Sequence, residues 1–263
     1  MAAQNESPIS GSVLLYDRPE PLDALRHAKL GVRRSSSAFS FAAGQHFVPL
    51  NVNEFGPAGV VYPIIFAGES FTPLAVLGLQ EHENVFVDEN GGYRPGCYIP
   101  LYLRRYPFVG AVDNVQQRVV ICIDRASAQV TEDHPDFLLF ENGQPTDFTK
   151  AYVDLCSQFD ADRARTEAFV TLLKDLDLFE SKQTTYNPRN ADGTAGQPAL
   201  VSEYFAVSET KLGALSGEKL AELRNSGALS QIYAHLHSLF VWDRLISDAL
   251  IRRNAAMPAA GNA

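Results

Sequence analysis

The 263 residues carry 22 Lys and Arg against 31 Asp and Glu, a net charge of −9, with 46% hydrophobic and 20% charged positions. This is an ordinary soluble composition, long enough for one large or two small domains with a real core. The acidic balance argues against broad nucleic-acid binding, which needs a basic surface, and no apolar run nears the roughly 18 residues that cross a bilayer.

The opening residues are polar, with no basic stretch leading into an apolar one, so no secretory signal is expected and residues 1–11 read as a flexible tail. Val13 to Tyr16 reads as a short strand, and Pro19 to Lys29 has weak helical spacing through Leu22, Leu25 and Leu30. Arg26-His27, Lys29 and Arg33-Arg34 form the most basic segment, which is either a solvated face or a contact for an anion or acidic partner. Ala38 to Phe41 reads as a brief strand and Phe47 to Leu50 as another, before a helical turn at Asn53. Val60 to Phe66, Pro73 to Leu79 and Asn84 to Val87 read as an antiparallel meander, with turns at Gly68-Glu69-Ser70 and Asp88 to Gly92. Pro100 suits the first turn of a short helix carrying Leu101 to Arg105.

A hairpin of Phe108 to Val112 and Arg118 to Ile123 follows, then a strand at Phe137 to Phe140 and a turn through Asn142-Gly143. From Thr146 or Asp147 onward, apolar residues at helical spacing predict a long helix with a bend near Asp160-Ala161-Asp162. A second hairpin joins Lys182 to Tyr186 with Leu200 to Val207. Ser208 and Ser216 open short helices, Gly227 separates the last, and Leu229 to Arg253 is a helix or helix pair. Residues 255–263 read as a second flexible tail. The pattern predicts an α+β fold: an antiparallel sheet region in the N-terminal half packed with C-terminal helices and a second hairpin, as a single domain over residues 12–254.

The common nucleotide, hydrolase and zinc motifs are missing. Cys97, Cys122 and Cys156 are odd in number and far apart, which predicts reduced thiols in a cytoplasmic protein. His134-Pro135-Asp136 has the His-x-Asp form of two facial-triad iron ligands, with His235 or His237 about a hundred residues on as a third. On a helix, His235 and His237 point about 200° apart and cannot share one metal. Glu81-His82-Glu83-Asn84 is a polar cluster that is either a solvated turn or a tuned site. Arg104-Arg105, between Tyr102 and Tyr106, carries two guanidiniums about 100° apart on a helix, so one can reach a carboxylate or phosphate while the other faces water.

The stretches His46-Phe47-Val48-Pro49, Glu54-Phe55, Tyr62-Pro63-Ile64-Ile65-Phe66, Leu77-Gly78 and Glu83-Asn84-Val85-Phe86-Val87 are followed by Tyr98-Ile99-Pro100, Arg104-Arg105-Tyr106-Pro107-Phe108 and Leu139-Phe140-Glu141-Asn142-Gly143. Together with the closing Leu212 to Arg253 pattern, this resembles the bacterial SapC family over roughly Phe47 to Asn254. The family name derives from bacterial surface layers, and relatives often sit near genes for outer-membrane receptors and flavin-dependent halogenases. The resemblance implies an accessory role in nutrient uptake or in modifying a peptide or small molecule, and supplies no catalytic residues. The expected function is therefore a non-catalytic accessory or binding protein. Its recognition residues would be Arg104, Arg105, Glu83 and Asn84, and its partner an anionic small molecule or acidic protein. The alternatives are an iron-dependent oxygenase at His134, Asp136 and His235 or His237, and a surface-layer-associated protein.

Overall fold

The computed structural model describes residues 13–113, 118–187, 194 and 196–256. In chain order these form β1 (Pro19–Pro21), β2 (Gly31–Val32), β3 (Phe47–Pro49), α1 (Phe55–Gly59), β4 (Ile64–Ala67), β5 (Thr72–Val76) and α2 (Leu101–Arg104). Then come β6 (Phe108–Asp113), β7 (Arg118–Asp124), β8 (Val130–Thr131), β9 (Phe137–Leu138), β10 (Phe140–Glu141), β11 (Gln144–Pro145) and α3 (Asp147–Asp175). The chain closes with β12 (Phe179–Tyr186), β13 (Ala199–Val207), α4 (Glu209–Gly213), α5 (Gly217–Asn225), α6 (Ala228–Ser238) and α7 (Trp242–Ala256). The fold is α+β, and every strand pair in it is antiparallel.

These residues sort into two compact units that interleave along the chain. The first takes Met1–Phe41, Asn90–Gly92 and Leu101–Ala161; the second takes Ala42–Glu89, Tyr93–Pro100 and Asp162–Ala263. In the first unit, β7 lies between β1 and β6, and β2 lies between β8 and β9. Its core gathers Leu30, Val32, Phe108, Ile123, Leu139, Phe140 and Cys156, with Phe148 and Tyr152 of α3 packed against them. Gly31 is needed at the centre of the small sheet, because a Cβ there would overlap the Phe137 carbonyl and the Pro135 ring. Neither neighbour can swing away as a flexible side chain would. Gly31→Ala is therefore expected to cost about 2 kcal/mol, the scale of overpacking in a tight core, read as a lower urea midpoint with an unchanged slope.

The second unit is built on a five-stranded sheet in the order β12-β13-β4-β5-β3. Pairing of Ile64 with Ala75 and of Phe66 with Phe205 sets one face. That face packs on helices: Phe66 lies 4.9 Å from the His235 ring and 6.2 Å from Phe55, and the Ser238 hydroxyl accepts from the Ile64 amide at 2.9 Å. Pairing of Ile65 with Leu74 and of Phe47 with Val76 sets the other face.

Both hairpins form over the expected strands, although the turn after Asp113 and most of the loop after Asn187 lie outside the described residues, as do residues 1–12 and 257–263. Four local expectations are corrected. Val13 to Tyr16 is a turn, closed by the Tyr16 amide on the Val13 carbonyl at 3.0 Å, with Leu15 at a φ of 72°. Ala38 to Phe41 runs into a 3-10 turn at Ser40–Ala42, because the Ser40 amide and hydroxyl both bond the Ser37 carbonyl. Asn84 to Val87 is no ladder strand. The Asn84 side chain accepts from the Phe86 amide at 2.9 Å, bending the chain locally, and only Val87 forms a bridge, to Tyr93. The long helix α3 does not break at Asp160-Ala161-Asp162. The buried Asp162 carboxylate accepts from Asn53 at 2.6 Å and Arg165 at 2.9 Å, so it does not compete for its own backbone.

Candidate functional site

In the first unit, β2 ends after two residues because the chain turns polar: Arg33-Arg34-Ser35-Ser36-Ser37. The Arg33 amide still donates to the Gln129 carbonyl at 2.8 Å, and the Arg34 amide to the Asp136 carboxylate at 2.8 Å, which aims both guanidiniums outward. Beyond them the serines fold on themselves. The Ser35 and Ser37 hydroxyls share a hydrogen bond at 2.6 Å, and the Ser40 hydroxyl donates to the Ser37 carbonyl at 3.0 Å. Phe41 then stacks on Tyr106 with ring centres 3.7 Å apart and planes 14° from parallel. The opposite wall is the turn between β7 and β8, held by the Gln129 side chain donating to the Ala38 carbonyl at 2.8 Å.

These residues enclose a cleft of about 300 Å³ lined by Arg33, Arg34, four serines (Ser35, Ser37, Ser40, Ser127), Gln129 and the Phe41–Tyr106 stack. Arg33 is engaged with Asp133, at its backbone carbonyl and at its carboxylate 3.4 Å away. Arg34 is different. Its guanidinium lies 4.7 Å from the Phe137 ring centre, and among the described residues no carboxylate pairs with it. Burial raises the Tyr106 phenol above its ordinary value, with a Ser127 hydrogen bond opposing, so the ring stays neutral and hydrogen-bonding near pH 7. Among the described residues the Ser35, Ser37 and Ser40 hydroxyls bond one another and the Ser37 backbone, and the Ser127 hydroxyl accepts from the Gln129 amide at 3.3 Å. Guanidinium and hydroxyl donors suit an anion, and a stacked aromatic wall suits a planar ring.

Compared with models of protein families, residues 22–245 match the one described as SapC. The chain belongs to the SapC family. No curated protein and no solved structure matches it.

Within this SapC chain, the residues singled out from the sequence divide between the two units. Arg104 and Arg105 belong to the first unit, Glu83 and Asn84 to the second. The two arginines do diverge as their helical spacing requires: Arg104 is exposed and Arg105 is 3% exposed. The Arg105 guanidinium lies 4.0 Å from the Phe159 ring centre, 4.6 Å from Tyr102 and 5.9 Å from Tyr16, with no carboxylate partner among the described residues. Burial raises both tyrosine phenols, and the neighbouring Arg105 charge opposes that rise. Glu83 is held by a two-pronged pair with Arg253, at 3.0 and 2.9 Å, and also accepts from the Leu79 amide at 2.8 Å. Asn84 is buried and donates to the Ala42 carbonyl at 2.9 Å.

The iron reading finds no assembled ligand set, for among the described residues no three His, Cys, Asp or Glu side chains group as metal ligands. His134 sits on an exposed turn with a φ of 45°, beside Asp133, while Asp136 accepts from the Arg34 amide. His235 is fully buried; its Nε2 accepts from the Val207 amide at 3.1 Å, and burial pushes its pKa down to about 3. His237 lies on the same helix, 6.3 Å between ring centres from Tyr233. The sequence did mark Arg33-Arg34 as a possible anion contact. It carried no signal for Phe41, Tyr106, Ser127 and Gln129, which reach the cleft through pairings some 65 to 90 positions apart, such as Gln129 with Ala38 (|i−j| = 91).

Proposed function

We propose that this SapC-family protein is a non-catalytic accessory protein that captures a small anionic molecule bearing a planar ring in the Arg33–Arg34 cleft. The observation that carries the reading is Arg34: a guanidinium pre-oriented on the Phe137 ring, at the mouth of a hydroxyl-lined cleft, with no carboxylate partner among the described residues. A concave site of about 300 Å³ is at the lower end of the small-molecule range and favours such a ligand over a flat acidic protein surface. The net charge of −9 supports the absence of nucleic acid among its partners. The family's association with uptake and modification supports a role delivering or holding a metabolite for such a step. Three free thiols, two of them buried, support a reducing, cytoplasmic setting. The family match, running through residues of both units, supports one functional SapC domain over residues 12–254.

Calorimetry with phenyl phosphate, benzoate and inorganic phosphate tests the proposal. Phenyl phosphate is expected to bind, more weakly as salt rises, and to lose at least tenfold in affinity in Arg34→Ala, whose exposed position leaves the melting temperature unchanged. If none of the three probes binds, or if Arg34→Ala binds as well as the wild type, the cleft is not the recognition site.

A further inference from the structure

The second unit contains an independent site. Phe47, Ile65, Leu74 and Val76 share the sheet face turned away from α1 and α6, as their cross-strand pairings require. Over this face lies a groove of about 350 Å³, closed further by Leu79, Val201 and Trp242, and edged by His46, Gln80, Glu81, Ser202 and Glu203. Trp242 is 5% exposed and tilts against Tyr204 at 5.7 Å, yet its indole N–H has no acceptor among the described residues. A buried N–H donor is normally satisfied, so an unpaired one beside a cavity points to a missing acceptor.

The rim adds a charge. Glu81 pairs with no cation among the described residues, whereas Glu203 alternates with Phe205 onto the helix-facing side of the sheet, where it meets the Gln183 amide at 3.3 Å. The neighbouring Glu83, by contrast, is paired with Arg253 at 2.9 Å. Burial lowers the His46 pKa, against the opposing pull of Glu81, so the imidazole beside the rim is neutral near pH 7 and does not offset the carboxylate. The groove thus has an apolar floor, an orphan donor and an acidic edge.

We propose that this groove is a second ligand site, taking a small apolar molecule that bears a protonated amine and a carbonyl acceptor, such as an aromatic α-amino amide. The apolar body lies on Phe47, Ile65, Leu74 and Val76, the carbonyl accepts from Trp242, and the ammonium faces Glu81. The charge complementarity selects against carboxylates, which the acidic edge repels.

Trp242 is the only tryptophan in the chain, so its fluorescence reports on this groove directly. Titration with phenylalaninamide is expected to change the emission saturably. Glu81→Gln, at the exposed rim and with the melting temperature as a check on folding, is expected to weaken the apparent Kd at least tenfold. The amine-free 3-phenylpropanamide is expected to bind more weakly, and 3-phenylpropanoate to leave the Trp242 emission unchanged. In Trp242→Phe, followed by calorimetry, affinity is expected to fall several-fold. A flat fluorescence and calorimetric titration with phenylalaninamide overturns the proposal, as does equal affinity in Glu81→Gln or an equal Trp242 emission change with the carboxylate probe. Phenylalaninamide is opposite in charge to the probes for the Arg34 cleft, and the Trp242 emission reports on this groove alone, so the two readings fail separately.

Discussion

Arg105→Ala is expected to destabilise the protein by about 3 kcal/mol, the range of large-to-small changes in a packed core, whatever it does to ligand binding. Arg105 is 3% exposed and its guanidinium lies against Phe159, Tyr102 and Tyr16. Two contributions are lost together. A desolvated cation over aromatic faces is worth about 2 kcal/mol, and truncation leaves a cavity lined by three rings that collapse only partly. A burial cost opposes these, because a charge removed from water without a carboxylate partner is destabilising in itself. Arg105→Met separates the two. It keeps much of the volume and removes the charge, so the difference between the two variants measures packing alone. The expectation is that Met recovers about half of the loss, measured by urea unfolding. If Arg105→Ala leaves the unfolding midpoint where it was, the aromatic cage is not structural, and Arg105 becomes free for a role in recognition. The same logic explains why Arg34 is the better probe of binding: its exposure lets the charge be removed without touching the core.

Local chemistry explains which parts of the fold could be read from the chain. Strands β4 to β7, β12 and β13 carry runs of β-branched and aromatic residues bounded by turn formers, and α3 and α6 show apolar residues at helical spacing, so composition and periodicity sufficed. Three of the four failures come from side chains recruited over long separations or into local backbone bonds; the fourth, Val13 to Tyr16, is a turn closed by its own main chain. Asn84 spends its amide on Ala42 and Phe86, so a sequence stretch with strand propensity becomes a bend. Asp162 serves Asn53 and Arg165, so a helix continues where two aspartates predict a bend. The candidate site divides the same way. Arg33-Arg34 stands out as adjacent charge, whereas the stack of Phe41 on Tyr106 is a tertiary product with no local trace. Glu83, conspicuous as part of a polar cluster, is absorbed by Arg253, 170 positions away in sequence. Trp242 was silent because an orphan indole N–H exists only once the surrounding acceptors have been placed.

Acid is expected to unfold the protein through His235. This imidazole is fully buried between the helix-facing side of the sheet and α6, 4.9 Å from the Phe66 ring centre. Its Nε2 accepts from the Val207 amide, so the proton of the neutral ring is on Nδ1 and a second proton has no room without breaking that bond. Burial is the main cause that carries its pKa from the ordinary 6.5 down to about 3. Below pH 6.5 the unfolded chain therefore binds a proton that the folded chain does not, and mass action favours unfolding. Stability is independent of this group above about pH 6.5. It is lost progressively as pH falls from there toward 3, at up to about 1.4 kcal/mol for each pH unit. His27 and His46 are also lowered by burial and act in the same direction. His235→Gln keeps a hydrogen-bond acceptor for Val207 but cannot take up the proton. Its stability at pH 7 is expected to fall, because the amide packs less well against Phe66, while its pH dependence between 6 and 4 becomes flatter by nearly one proton. Chemical denaturation across that range reads the slope directly. An unchanged slope in His235→Gln would mean that the acid sensitivity resides in other groups, and that the buried imidazole already finds a way to ionise in the folded state.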